Sequence, residues 1–244
     1  MSDSLVINEI YLSAQGESTW AGLPCVFIRL TACNLRCSYC DTAYAFTEGK
    51  RMASDEILER VEELAAPFAG RSAGVRLPLV ELTGGEPLLQ KNSPELMKSL
   101  CDCGFTVLLE TSGALDIGVV DARARRIMDV KCPSSGESAR IRWENLGLLK
   151  STDEVKFVIG TSQDYEFSKE IVLTRKIADI CPVLFSWVSP LLSHQQDKSL
   201  RAVPEGQTPI TRQQLVERIL ADALPVRFQL QMHKFIWPPD QKGV

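Results

Sequence analysis

Six short apolar runs rich in β-branched residues recur along the chain, at 25–32, 78–83, 106–111, 126–131, 154–159 and 182–188. The segments between them are often long enough to hold a helix, a pattern that predicts repeated β-α units with parallel strands. Between the runs, 54–66 carries Ile57, Leu58, Val61, Leu64 and Ala65 on one helical face, with Ser54 placed to cap it. A second helix is predicted from Ser93-Pro94 to just before Gly104, with proline in the first turn and glycine past the last. A third spans 163–179, and Thr211 with Gln214 forms a capping box that starts a fourth. Two segments fall outside the alternation: 5–18, an N-terminal strand leading into a turn, and 226–237, a late strand ending in Ile236-Trp237-Pro238-Pro239. The polar, turn-rich stretch 193–209 reads as a solvated surface loop. Six core strands are too few for a complete eightfold barrel.

Composition narrows the class. With 244 residues, 45% of them hydrophobic, and a net charge of −4, the chain fits one soluble domain over 1–244 and shows no sign of a strong nucleic-acid binder. Met1-Ser2-Asp3-Ser4 lacks a basic segment followed by an apolar run, and no stretch of about 18 apolar residues occurs. The expected location is therefore cytoplasmic, with no membrane contact. A reducing compartment also suits the scattered thiols Cys25, Cys101, Cys103, Cys132 and Cys181, which read as core residues or free cysteines.

Cys33, Cys37 and Cys40 stand apart from these, three thiols within eight positions of Cys-Asn-Leu-Arg-Cys-Ser-Tyr-Cys. A structural zinc site would need a fourth Cys or His nearby, and the two histidines, His194 and His233, lie far downstream. Three closely spaced cysteines cannot pair evenly as disulfides. Three thiolates instead suit a four-iron cluster with one iron left open to chelation by an amine and a carboxylate.

Polar residues gather where the predicted strands run out, which in parallel α/β folds is where functional groups meet. Run 25–32 leads into the cysteine loop and 78–83 into Gly84-Gly85-Glu86; 106–111 ends in Glu110-Thr111-Ser112-Gly113 and 126–131 in Asp129-Val130-Lys131. The glycines remove Cβ atoms where a ligand could approach backbone, or simply close a strand-to-helix turn. Strand alternation puts Arg29 on one face with Cys25, Phe27, Thr31 and Cys33, and Val26, Ile28 and Leu30 on the other. A buried guanidinium needs an anion, either a substrate carboxylate or a protein partner such as Glu81 or Glu110.

The C-x3-C-x2-C loop together with Thr83-Gly84-Gly85-Glu86-Pro87 resembles the radical S-adenosylmethionine (SAM) superfamily. That resemblance implies the fold class: α/β, a partial, open parallel β/α barrel of about six core strands, with reduced helices and extra N- and C-terminal strands. It also implies that Gly84, Gly85 and Glu86 contact SAM, while Ser112, Lys131 and Ser134 are candidates for its ribose or carboxylate, or else cap helices and pair on the surface.

Further stretches narrow the resemblance to the 7-carboxy-7-deazaguanine synthase family: Ser13-Ala14-Gln15-Gly16-Glu17-Ser18, Arg29, Asp41-Thr42, Glu110 to Gly113, Asp129 to Gly136, and Gln231 to Trp237. The family resemblance implies conversion of 6-carboxy-5,6,7,8-tetrahydropterin to 7-carboxy-7-deazaguanine with loss of ammonia, in 7-deazapurine (queuosine) biosynthesis. A flavodoxin-like donor would reduce the [4Fe-4S] cluster, SAM would act as a regenerated cofactor, and the protein would be a homodimer without direct nucleic-acid contact. By the same resemblance Gln15, Gly16, Glu17 and His233 read the pterin, Arg29 meets its carboxylate, Thr83 touches it, and Thr42 helps bind Mg2+.

Plainer roles stand beside these: a polar turn at 15–17, a core histidine at 233, a strand-end threonine at 83 and a loop cap at 42. Tyr44 and Phe46, within 43–53, either cover the site or pack on the barrel. The rival functions are a glycyl-radical-activating enzyme, which would act on a protein, and a non-catalytic iron–sulfur or zinc-binding interaction protein.

Overall fold

A computed structural model describes residues 3–68, 75–238 and 240–244. Its nine strands form one open sheet in the order β3-β1-β2-β4-β5-β6-β7-β8-β9. The six expected core strands are β2 (Pro24–Leu30), β4 (Leu79–Gly84), β5 (Val107–Thr111), β6 (Arg125–Asp129), β7 (Glu154–Ile159) and β8 (Val183–Trp187), all parallel to one another. On one edge β1 (Ser4–Ala14) pairs antiparallel with β2 and with β3 (Lys50–Ala53); on the other, β9 (Arg227–Gln229) extends the parallel run.

Alternation along each strand separates two chemistries. The outward set Val26, Ile28, Leu30, Val80, Leu82, Val107 and Leu109 packs under α1 (Ser54–Ala65) and α2 (Ser93–Asp102), through Ile57, Val61, Leu96, Met97 and Leu100. Val155, Phe157, Ile159, Val183 and Phe185 likewise pack under α3 (Ser162–Thr174) and α4 (Arg212–Ala221), through Tyr165, Val172, Leu215 and Ile219. The inward set is apolar only at its base, where Cys25, Phe27, Leu79, Leu108 and Ile127 meet Tyr11, Trp20 and Leu23. The turn between β1 and β2 reaches across the inner face: Thr19 N–H donates to Glu154 at 2.9 Å and the Gln229 amide donates to Ser18 O at 2.9 Å. These bonds tie the turn to β7 and β9 across the inner face of the sheet.

Several sequence expectations shift. The third helix ends at Thr174 rather than 179, because Lys176 takes a left-handed conformation with φ +50°. The late strand is only 227–229, and a four-residue helix, α5 (His233–Ile236), replaces its second half. Ser54 does not cap α1; its hydroxyl donates to Asp3 at 2.9 Å, and the Glu56 carboxylate accepts the Ala53 N–H instead. The Thr211–Gln214 box forms as expected, and Gly104 closes α2 with φ +82°. Residues 112–124 and 130–153 carry only 3-10 turns, so the helical layer is reduced.

Candidate active site

The cysteine loop leaves β2 through Ala32, whose φ of +79° turns the chain sharply over the mouth of the sheet. Buried Leu35 roots it, and Ser38 ties it to the segment after β6: its N–H donates to Ser135 O at 3.1 Å and its hydroxyl to Ser134 O at 2.7 Å. Glu137 accepts from Arg36 N–H at 2.9 Å and from the Arg201 guanidinium at 2.8 Å, while Arg36 Nη1 donates back to Cys33 O at 2.8 Å. The loop is thus held from outside by residues other than the three cysteines.

Cys33, Cys37 and Cys40 all border one cavity of 640 Å3. Burial pushes all three thiols up, Cys37 to about 12, against the opposing pull of Lys131. A metal that binds them must therefore displace protons. Among the described residues no three Cys, His, Asp or Glu side chains gather tightly enough for a single ion. In a cluster each cysteine takes a different iron, a spacing that suits three separated thiols on one loop. Two buried polar atoms on cavity-lining residues, Tyr39 OH and Asp129 Oδ1, have no hydrogen-bond partner, as expected where a polar ligand completes the site.

The turn after β4 packs against this loop. A Cβ on Gly84 would lie 2.3 Å from Leu30 O, and one on Gly85 1.9 Å from Ala32 O, so the glycines are required for docking turn onto loop. Gly84 and Gly85 line the cavity, but Glu86 does not. Its carboxylate is fully buried and accepts from Thr111 Oγ1 at 2.9 Å, Ser112 N at 2.8 Å and Ser112 Oγ at 2.6 Å, which clamps the turn to the end of β5. Ser134 is likewise turned inward, bonding Asp164 through N at 2.8 Å and Oγ at 2.6 Å, and does not border the cavity.

Above its apolar base the inner face is charged. Arg29 sits opposite Glu9 in the β1–β2 register, and its Nε donates to Glu9 at 2.7 Å and Nη2 to Tyr11 OH at 2.8 Å. Neither Glu81 nor Glu110, the partners expected from sequence, takes that role, because the antiparallel neighbour presents a carboxylate directly across the ladder. Tyr44 OH donates to the same Glu9 oxygen at 2.8 Å, and both Tyr44 and Phe46 border the cavity. Thr83 Oγ1 donates to Glu110 at 3.0 Å. Lys156 contacts Glu110, Glu17 at 3.0 Å and Asp129 at 3.9 Å, and Lys131 pairs with Asp129 at 2.7 Å. Desolvation works against both ammonium groups, but these carboxylates hold each lysine well above its ordinary range.

The C-terminal segment closes one side. Met232 N–H donates to Gly16 O at 3.0 Å, and a Cβ at Gly16 would lie 2.6 Å from His233 Nδ1, so the glycine lets the imidazole seat against the turn. Lys234 pairs with Asp41 at 2.5 Å, tying α5 to the cysteine loop. Burial draws His233 below its usual range. Thr42 precedes a 3-10 turn but its side chain does not cap it; the hydroxyl lies 3.7 Å from Cys40 Sγ and faces the cavity. Part of 193–209 also borders the cavity, through His194 to Asp197.

Of the residues singled out in the sequence, Gln15, Gly16, Glu17, Arg29, Cys33, Cys37, Cys40, Thr42, Thr83, Gly84, Gly85, Ser112, Lys131 and His233 border the one cavity, and Glu86 and Ser134 stand behind it. Sequence reasoning assigned no site role to Glu9, Asp41, Lys156 or Lys234, and named Glu81 only as a possible partner for Arg29. Inward parity on β4 and β7 would have flagged Glu81 and Lys156, whereas Glu9 lies at a register shift in the β1–β2 hairpin.

The radical SAM superfamily profile matches residues 27–184. The chain is 43% identical over 241 residues to a 7-carboxy-7-deazaguanine synthase from Koribacter versatilis, covering 98% of this chain and 99% of that one. It is 39% identical over 243 residues to the same enzyme from Chlorobaculum tepidum, at 98% and 97% coverage. Among solved structures it resembles QueE from Escherichia coli, with TM-score 0.68, 20% identity and coverage of 94% of this chain and 95% of that one. Streptococcus suis SuiB bound to its precursor peptide shares the fold at TM-score 0.56 and 16% identity, covering 82% of this chain and 46% of that one. A full-length likeness at this identity, with three thiols and a glycine turn on one cavity, settles the assignment: the chain belongs to the 7-carboxy-7-deazaguanine synthase family of radical SAM enzymes, which use a [4Fe-4S] cluster and SAM.

Proposed function

We propose that this protein converts 6-carboxy-5,6,7,8-tetrahydropterin to 7-carboxy-7-deazaguanine, with loss of ammonia, in 7-deazapurine (queuosine) biosynthesis. The observation that carries the reading is the shared cavity: the cysteine loop, Gly84-Gly85, Arg29 and the Gln15-Gly16-Glu17 turn all border it. Cys33, Cys37 and Cys40 would hold the cluster and leave one iron open to SAM. When bound, the two supply the electron and the carbon radical that abstracts hydrogen. Gly84, Gly85, Ser112 and Lys131 line the side of the cavity assigned to SAM; Glu86 and Ser134 position that wall rather than touch the cofactor.

Gln15, Glu17, Thr83 and His233 are assigned to the pterin. Arg29 keeps Nη1 free of any described protein partner, and that edge is assigned to the substrate carboxylate. The Thr42 hydroxyl, with substrate oxygens and water, would serve Mg2+, which keeps several waters and needs few protein ligands. Asp41, beside it, pairs with Lys234 through Oδ2. A flavodoxin-like reductant, a homodimer and a cytoplasmic location complete the reading; no helix among the described residues is long and apolar enough to cross a membrane.

The test is anaerobic turnover with the pterin, SAM, Mg2+ and a reductant, read by mass spectrometry. Formation of 7-carboxy-7-deazaguanine is expected, and its absence from a fully clustered enzyme would sink the proposal. Arg29→Ala is expected to raise KM for the pterin about 10- to 100-fold through loss of a charge-assisted pair, leaving the Kd for SAM nearly unchanged. Equal weakening of both ligands would make Arg29 purely a partner of Glu9.

A further inference from the structure

Glu81 lies in the middle of β4, between the outward Val80 and Leu82, so alternation carries its side chain into the cavity. The parallel register sets it beside Phe27 and Leu108, one layer beneath Arg29 and Thr83. It is 2% exposed. One carboxyl oxygen, Oε2, accepts from Gln15 Nε2 at 2.7 Å, and Gln15 Oε1 in turn accepts the Glu17 N–H at 2.5 Å. No other described residue hydrogen-bonds the Glu81 carboxyl.

Its neighbours are provided for. Glu110 takes Lys156 and Thr83, Glu17 takes Lys156 and Gln231, and Asp129 takes Lys131. Glu81 alone among these inward carboxyls has only a neutral donor against it. A dry carboxyl without a cation keeps its proton. A protonated carboxyl offers an acceptor and a donor side by side on one plane, the complement of a ring edge that carries the same pair in reverse.

We propose that Glu81 is a specificity-determining residue that hydrogen-bonds the amino-oxo pyrimidine edge of the substrate, next to the Gln15 amide that it orients. The proposal rests on the pterin reading given above, since that heterocycle supplies the matching edge. Burial first, and then the charge of Glu110, push Glu81 up to about 8, in keeping with a neutral acid at physiological pH. The arrangement also explains why a carboxyl is tolerated level with Phe27 and Leu108 of the apolar base: the ligand completes its hydrogen bonding, as the cation does for its neighbours. A site that hydrogen-bonds a polar edge rejects analogues lacking it far more strongly than an apolar wall would.

The test compares Glu81→Gln, Glu81→Leu and Glu81→Asp in the clustered enzyme. Steady-state kinetics are combined with calorimetric binding of the pterin in the absence of reductant. Glutamine keeps a donor, an acceptor and the bond to Gln15, so KM and Kd are expected within about 3-fold of wild type. Leucine strands both Gln15 and the ring edge, and is expected to raise KM and Kd about 10- to 100-fold while kcat falls less than about 3-fold. Aspartate, a variant more certain to fold, withdraws the carboxyl by one methylene and is expected to weaken binding in the same direction. Iron content and SAM affinity should stay constant across the set.

Wild-type KM in both Glu81→Leu and Glu81→Asp, or equal losses in Glu81→Gln and Glu81→Leu, would overturn the assignment while leaving normal turnover intact. A wild-type enzyme that neither binds nor transforms the pterin would overturn this assignment together with the functional reading beneath it.

Discussion

Replacing Cys37 by alanine is expected to abolish turnover and bring iron content from about four per chain toward zero. The remaining pair, Cys33 and Cys40, leaves two irons of a cubane without protein ligands, and no other thiol can take the vacated place. Cys25 lies in the inner apolar base, and Cys132 is buried with its sulfur 3.3 Å from Ser168 Oγ. The loop itself should survive, because Leu35, Ser38 and Arg36 anchor it independently of the cysteines. Thermal unfolding of the variant should therefore match that of the cluster-free wild type. Cys103→Ala, an exposed thiol at the end of α2, serves as the control and should keep full iron. A Cys37→Ala protein with wild-type iron and sulfide would refute the ligand assignment.

The features legible in the sequence share a physical basis: they depend on short segments. The cysteine triplet, the Gly-Gly turn and the Thr211–Gln214 capping box each make their interactions within a few residues, so spacing alone announces them. The strands were legible because their outward halves are continuous apolar stripes. Features decided by pairing between distant segments were not. Arg29 meets Glu9 through a hairpin register that shifts between Ile7 and Glu9, an irregularity that no local pattern reveals. Asp41 meets Lys234 across 193 positions of chain, and Lys234 sits in what reads locally as strand. Glu86 illustrates the opposite error. Its motif points to a ligand, but burial and four hydrogen bonds spend its carboxylate on the frame around the site.

Lys156 was hidden for a further reason: it sits within Glu-Val-Lys-Phe-Val-Ile, a run whose alternate members build the outer core. Lys156→Met is expected to destabilise the protein by about 2–3 kcal/mol at pH 8, measured by urea unfolding. A wholly dry pair broken on one side would cost about 3–5 kcal/mol, but Glu110 keeps 30% of its side chain exposed to the cavity and recovers part of that through water. The pH dependence identifies the cause. In the wild type, desolvation acts to raise the Glu110 carboxyl, yet Lys156 holds it below its ordinary range; its stabilising contribution is present above that range and lost as pH falls through the lowered value. Without the cation the same burial raises the carboxyl, and protonation relieves the strain as pH falls. The deficit should therefore shrink between pH 8 and pH 5. Adding Glu110→Gln to Lys156→Met should recover about half of the loss at pH 8, since it removes the stranded charge and keeps an acceptor for Thr83. A deficit independent of pH, unrelieved in the double variant, would mean that the lysine stem rather than its charge supports the inner face. The proposed division of the cavity depends on that charge, because Lys156 is what neutralises Glu110 and Glu17 and leaves Glu81 as the inward carboxyl without a cation.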